Sequence, residues 1–225
     1  MTIEPIAHIR SPFGEKFGIP RQSSLAAECP ARIEFEQGYA LEDAVRGLEA
    51  FSHIWLIWGF SQARWDGNFT VRPPRLGGNT RIGVFASRSP FRPNSLGMSA
   101  VKLERIEKTT DRGPVLHVLG ADLLDGTPIY DIKPYIPYAD SISEASDGYT
   151  GTTKDHRLTV EFAPDAASAV DPNTLEQIRQ LVALDPRVSY DADSDKIWGM
   201  AYGRYNVRFS VAGDIATVIE ITPVS

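Results

Sequence analysis

Up to Asp140 the chain is a series of short, apolar-alternating segments cut by proline and glycine, with one short helical pattern at residues 41–47 (LEDAVRG). Strands joined by tight, irregular connections with so little helix between them favour antiparallel pairing and a closed or nearly closed β-barrel. The strands are expected at residues 3–10, 51–60, 81–86, 101–108, 114–124 and 127–132. Residues 12–38 and 61–80 read as proline- and glycine-rich loops, and 87–97 as irregular. Residues 51–60 (FSHIWLIWGF) are apolar on both faces, so this strand is expected to be buried on both sides, with His53 a satisfied core histidine.

The pattern changes after Asp140. Residues 141–157 are small and polar and read as a linker. A strand follows at 158–162, then a helix at 172–184, with Leu175, Ile178, Leu181 and Val182 on one face. Asp171 is placed to cap it and Pro172 suits its first turn. Strands at 205–211 and 215–221 flank Ala212-Gly213-Asp214 as a hairpin. The expected fold is mainly β, an antiparallel barrel over 1–140 with a small α+β appendage over 141–225. Neither a βαβ alternation nor a G-x-G-x-x-G after a strand is present, which disfavours a Rossmann nucleotide site.

Net charge is −6, against a globally basic nucleic-acid binder. The distribution says more than the sum. Between Asp66 and Glu104 there is no acidic residue, while Arg72, Arg75, Arg81, Arg88, Arg92 and Lys102 all fall there. Such a window is either a solvated basic face or a pocket for carboxylates and phosphates, which arginine's planar fork suits. The single cysteine, Cys29, excludes an intrachain disulfide and leaves a catalytic thiol as a minor possibility. His8, His117 and His156 lack partners at metal-ligand spacing, so no metal is expected. The N-terminus has no apolar core of signal-peptide length, and the longest apolar run, 54–60, is far short of a spanning helix. A cytoplasmic protein with no membrane contact is expected.

Two segments are dense in residues that fix a backbone: R-I-G-V-F-A-S-R-S-P-F-R-P-N-S-L-G from Arg81 to Gly97, and L-D-G-T-P-I-Y-D-I-K-P-Y-I-P-Y from Leu124 to Tyr138. Rigid loops on a barrel rim commonly display binding sites. These two stretches resemble the signature stretches of the tRNA N6-threonylcarbamoyladenosine methyltransferase family, the TsaA-like or TrmO proteins. Further matching elements are Pro20-Arg21-Gln22, V-R-G-L-E-A-F-S-H-I-W from Val45 to Trp55, and V-R-P-P-R-L-G-G-N from Val71 to Asn79. D-P-R from Asp185 to Arg187 and N-V-R from Asn206 to Arg208 match as well, so the resemblance spans nearly the whole chain in order. Ser61 stands where relatives often carry histidine, and Ser95 where the family usually has proline.

The resemblance implies a non-Rossmann barrel that binds S-adenosylmethionine, a homodimer with its site near the subunit boundary, and methylation of N6 of threonylcarbamoyl-adenosine beside the anticodon of tRNA. It places the methyl donor among Pro20, Arg21, Gln22, Ser61, Gln62, Arg88, Met98, Asp125, Gly126, Thr127 and Pro128. Candidates for holding tRNA are Arg75, Arg81, Arg92, Asn94, Lys133, Tyr135, Arg187 and Arg208. The chemistry of these residues agrees. Asp125 and its turn offer acceptors to a cation, Arg88 and Ser89 offer donors to a carboxylate, and Phe60, Phe85 and Met98 offer an apolar slot for a base. Tyr135 has the flat face needed to stack on an unstacked base. No catalytic base is identified. Three other readings stay open: a non-enzymatic sensor of the donor, an RNA-binding module, and a methyltransferase of this family with a different acceptor.

Overall fold

The computed structural model describes residues 2–76, 79–152, 156–187 and 196–224. Eight strands come first: β1 (Ala7–Arg10), β2 (Pro30–Phe35), β3 (His53–Gly59), β4 (Thr70–Val71), β5 (Ile82–Gly83), β6 (Leu96–Thr109), β7 (Gly113–Leu119) and β8 (Pro128–Pro134). Six of them close an antiparallel barrel in the order β1-β2-β7-β6-β3-β8, while β4 and β5 pair as a small separate ribbon. Closure removes the sheet edges that an open sheet of this size would expose. The alternation that announced the strands fills the barrel. Ile9, Ile33, Ile54, Leu56, Leu116 and Ile129 are fully buried inside it.

The remaining elements are α1 (Pro137–Asp140), β9 (Thr159–Phe162), α2 (Pro164–Ser168), α3 (Pro172–Ala183), β10 (Ile197–Tyr202), β11 (Tyr205–Ala212) and β12 (Ile215–Pro223). The sheet order is β10-β11-β12-β9, antiparallel except for the β12–β9 pair. Ile178, Leu181 and Val182 bury the apolar face of α3. Asp171 caps α3 as expected, its carboxylate accepting from the backbone N–H groups of Asn173 and Thr174 at 3.0 and 3.1 Å.

Several expectations are corrected. Residues 12–38 are not all loop, because β2 lies within them. Residues 41–47 form no α-helix but a 3-10 turn, Glu42–Val45, followed by a second at Leu48–Ala50 across Gly47 at φ 85°. Residues 81–86 hold only the two-residue β5 and a 3-10 turn. β10 was not anticipated. β3 is buried on one face only: Ile54, Leu56 and Trp58 point inward, while His53, Trp55 and Ile57 are half-buried on the outside. His53 is therefore no core residue; its Nδ1 meets Ser52 Oγ at 2.9 Å and its ring meets the edge of Tyr135.

The connection between β1 and β2 joins the two halves. Phe13, Ala26 and Cys29 are buried with Met200, Tyr202 and Phe209 of the C-terminal sheet, not with the barrel core. Polar ties run alongside: Gly203 N–H donates to Pro12 O at 2.7 Å, Ala201 N–H to Glu15 Oε1 at 2.9 Å, and Glu28 N–H to Gln180 Oε1 at 3.2 Å.

Candidate functional site

Antiparallel register brings the ends of β1, β3 and β7 and the starts of β2, β6 and β8 to one end of the barrel. Gly59 faces Leu96, Leu119 faces Pro30 and His8 faces Pro128. Three connections emerge there: residues 11–29, 60–95 and 120–127. They carry Pro20, Arg21 and Gln22, then Ser61, Gln62 and Arg88, then Asp125, Gly126 and Thr127, while Pro128 opens β8 and Met98 lies near the start of β6. Every residue expected at the donor site thus lies on one rim.

The rim has a notch. β6 continues from Lys102 to Leu96 beyond Lys102↔Leu119, its last pairing with β7 at this end. Residues 20–24 run along the open edge. Ser24 N–H donates to Gly120 O at 2.7 Å, and Ser24 Oγ reaches Ala100 O at 3.5 Å. The backbone of Met98 lies two residues along and faces the same way. Its side chain is half exposed, on the outer face of the wall.

The 120–127 connection is fixed from both sides. Gly126 N–H donates to Ile9 O at 2.9 Å and Asp125 N–H to Phe13 O at 2.8 Å. Asp125 Oδ1 accepts from Ser11 N–H at 3.0 Å, and Thr127, buried, donates from Oγ1 to Leu124 O at 2.7 Å. Gly126 has φ +74°, a conformation that favours glycine. Across the notch, the exposed Arg88 donates to Gln22 Oε1. Arg21 donates to the carbonyls of Asp185 and Arg187 at 3.1 and 3.0 Å, so the C-terminal unit also borders the rim. Asp185 has φ 50° and binds Arg187 at 2.7 Å. Burial opposes ionisation of Asp185, but hydrogen bonds from Arg187 and His156 hold its carboxyl below the usual range.

Sequence reading missed Asp122 and Ser99. Ser99 Oγ, in a buried residue, donates to Asp122 Oδ1 at 2.6 Å and accepts from Trp58 Nε1 at 3.0 Å. Burial pushes the Asp122 carboxyl above its ordinary value despite that bond and the nearby Arg88. The stretch A-D-L-L-D-G carries no pattern that singles out its first aspartate; only the fold shows which one faces inward.

The basic window lies on the same rim. Arg10, Arg32, Arg105 and Arg112 pair with carboxylates, but Arg72, Arg81, Arg88 and Arg92 form no ion pair among the described residues. Arg92 donates to Ser87 O at 2.9 Å and Arg81 approaches Thr70 Oγ1 at 3.5 Å, both compatible with a remaining positive field. Arg75 lies in the 3-10 turn Pro74–Leu76 of this connection. Asn94 and Ser95 are both left-handed, at φ 64° and 46°. Phe85 and Phe91 are largely exposed beside them. Phe60 meets the Trp58 ring at 4.4 Å.

Not every tRNA candidate is there. Lys133 and Tyr135 end β8 at the opposite end of the barrel, where Lys133 pairs with Asp131 at 2.8 Å and Tyr135 packs on Trp55 at 5.5 Å. Arg208 lies on β11 and pairs with Glu220 at 3.0 Å. One chain does not bring these three to the notch. A concavity of about 560 Å³, lined by Phe35, Tyr39, Leu41, Phe51 and Ile132 among others, also opens at that far end. Its lining is mainly apolar, with Arg46 and Asp131 its charged members, and includes none of the residues expected at the donor site, which is why the chemistry is placed at the notch.

Cys29 is buried, and burial pushes its thiol up to about 11, so it is a core residue and no nucleophile. Among the described residues no His, Cys, Asp and Glu cluster could hold a metal, and no helix is long and apolar enough to cross a membrane.

Comparison with known proteins places the chain in a family. Residues 8–141 match the model of the tRNA-methyltransferase O N-terminal domain and residues 155–224 that of the TrmO C-terminal domain. The chain is 40% identical over 231 residues to the tRNA (adenine(37)-N6)-methyltransferase of Escherichia coli K12, covering 98% of this chain and 97% of that one. It is 44% identical over 180 residues to the protein of the same name from Eikenella corrodens, covering 78% and 99%. The crystal structure of TrmO from Pseudomonas aeruginosa superposes with a TM-score of 0.81 at 33% identity, covering 99% of this chain and 98% of that one. With both domain models in order and such identity along nearly its full length, the chain belongs to the tRNA-methyltransferase O family.

Proposed function

We propose that the chain is a cytoplasmic, S-adenosylmethionine-dependent methyltransferase that modifies N6 of the adenosine beside the anticodon of tRNA, in its threonylcarbamoyl form. The observation that carries this reading is the convergence of all three rim connections on the notch, with acid, base and apolar groups side by side. The donor set fits the methyl donor: Asp125 for its cationic groups, Arg88 for its carboxylate, and the Met98 and Phe60 surroundings for its adenine. When bound, the donor supplies a methyl group on a positively charged sulfur.

The residues then have separable tasks. Arg88 and Gln22 orient from one side of the notch, and the Asp125-Gly126-Thr127-Pro128 turn from the other. Fixing the reacting atoms in line and excluding water supply most of the acceleration. The acyl group acidifies the N6 proton, so the reading assigns no protein base. Arg72, Arg81 and Arg92, which form no ion pair among the described residues, and Arg75 of the same connection favour tRNA phosphates and the threonyl carboxylate, which predicts tRNA affinity that falls with salt.

A homodimer belongs to this reading. The outer face of β3 and β6 presents half-buried Trp55, Ile57 and Ala100 with exposed Met98, and Tyr138 beyond them is 91% exposed. Lys133 and Tyr135 reach a notch only from a second copy.

The test is mass spectrometry of nucleosides from tRNA of a strain lacking this gene, incubated with the protein and labelled S-adenosylmethionine. Label is expected in methylated threonylcarbamoyl-adenosine, and Arg88→Ala and Asp125→Ala should lose donor binding and turnover. Donor binding with label in another nucleoside, or in none, would overturn the acceptor assignment.

A further inference from the structure

Asp122 lies at the meeting point of all the parts that build the notch. It belongs to the 120–127 connection. Ser99 of the barrel wall donates to its Oδ1 at 2.6 Å, and Trp58 Nε1 in turn fixes Ser99. The 11–29 connection runs beside it, tied to the 120–127 connection by Ser24 N–H donating to Gly120 O at 2.7 Å, and the backbone of Ser23 favours the charged form of the same carboxylate. Arg88, from the 60–95 connection, is the charged group that faces it, and Arg88 also binds Gln22, the neighbour of Ser23. An ionised carboxylate accepts only, with room for about four donors. Here Ser99 donates to it, while the Ser23 backbone and the Arg88 charge act on it from two other pieces of chain. Asp125, three residues on, is more exposed and spends Oδ1 on Ser11 N–H.

We infer that Asp122 is a positioning residue for the methyl-donor site, an inference that rests on the methyltransferase reading: its negative charge holds Ser23 and Arg88, and so sets the Pro20-Arg21-Gln22 segment against the notch. Replacing the carboxylate with an amide of equal size keeps the packing but removes the charge that faces Arg88. It also sets N–H groups where an acceptor is needed. Because burial makes this carboxylate harder to ionise, it takes up its proton at a higher pH than an ordinary aspartate. The site assembled around the charged form loses affinity for the donor below that point and keeps it above.

The experiment is calorimetric titration of S-adenosylmethionine into the full chain between pH 5 and 8, for wild type, Asp122→Asn and Ser99→Ala, with steady-state kinetics on tRNA. Asp122→Asn should bind the donor about 10- to 100-fold more weakly at neutral pH, the range of a charged hydrogen bond. The loss should appear in KM for the donor more than in kcat, and the acid fall in affinity seen in wild type should flatten. Ser99→Ala should move that fall to higher pH, because the Ser99 bond favours the ionised carboxyl. If Asp122→Asn lowers Tm but leaves affinity and pH profile unchanged, Asp122 is only structural and the inference is overturned. If Asp122→Asn does not fold, Ser99→Ala decides: an unmoved acid fall overturns it equally. Wild type that binds no donor overturns the methyltransferase reading and this inference together; wild type that binds, with unchanged variants, overturns this inference alone.

Discussion

Gly97 lies beneath the indole of Trp58. A Cβ there would meet the ring's Cε2 and Cζ2 at 2.5 Å, and the ring cannot swing away without losing its bond to Ser99. Gly97→Ala is therefore an overpacking change, expected to destabilise by about 1–3 kcal/mol. Thermal unfolding should show it as a Tm lower by several degrees, about 2–4 °C per kcal/mol in a domain of this size. An unchanged Tm would mean that the indole is not fixed. Cys29 makes the opposite case, of a residue whose chemistry the fold switches off. With its thiol pushed up to about 11, the thiolate fraction at pH 8 is on the order of one in a thousand. Native protein should resist a thiol reagent at that pH and react at once in denaturant; rapid native labelling would contradict its burial. Ser95 is instructive for a different reason. A proline at a φ of 46° is impossible, since its ring fixes φ near −65°. Ser95→Pro is therefore incompatible with this turn.

Among the elements, α3 is the one whose boundaries the sequence states most directly. Asp171 accepts from two backbone N–H groups and from Thr174 Oγ1 at 2.6 Å, and these bonds hold its carboxyl below the ordinary range. A lowered native pKa contributes stability that is complete above the unfolded pKa and is lost as pH falls through the native one. Asp171→Ala should lower Tm at pH 7, and the gap to wild type should close on acidification; a gap independent of pH would show that the cap acts without its charge. Other elements were harder to read. β2 alternates Ala31, Ile33 and Phe35, yet Pro30 at its front and the loop residues before it masked a strand that tolerates proline at its first position. β10 is interrupted by Gly199, which hid its period. The motifs expected at the donor site are legible because they sit in connections fixed by proline, glycine and backbone hydrogen bonds. Lys133 and Tyr135, which one chain holds at the end of the barrel away from its notch, show what sequence proximity cannot reveal. From Pro128 to Tyr135 a strand rises roughly 23 Å, enough to carry the chain from one rim to the other. Asp122 was hidden for the converse reason, because its partners Ser23, Arg88 and Ser99 are distant in sequence and meet only on barrel closure.

Taken as a whole, the molecule has two cores whose boundary does not follow the change of composition at Asp140. Phe13, Phe17, Ile19, Ala26 and Cys29 precede β2, yet they pack with α3 and the C-terminal sheet. The same segment carries Pro20, Arg21, Gln22 and Ser23 across the notch. The C-terminal unit therefore acts on the site by holding this segment from behind, through that apolar contact and through the bonds of Arg21 to the carbonyls of Asp185 and Arg187. A fragment ending at Asp140 retains every residue expected at the donor site and all six barrel strands. It also leaves Phe13, Phe17 and Ile19 uncovered, and an exposed apolar patch of that kind favours association or local unfolding. The fragment is expected to bind a hydrophobic dye, to lose calorimetric affinity for S-adenosylmethionine, and to keep β-rich circular dichroism because the barrel core itself is untouched. If it instead binds the donor as tightly as the full chain, residues 11–29 hold their shape unaided. The C-terminal unit would then be a cover with no part in building the notch, and its D-P-R loop would serve tRNA or nothing at the site.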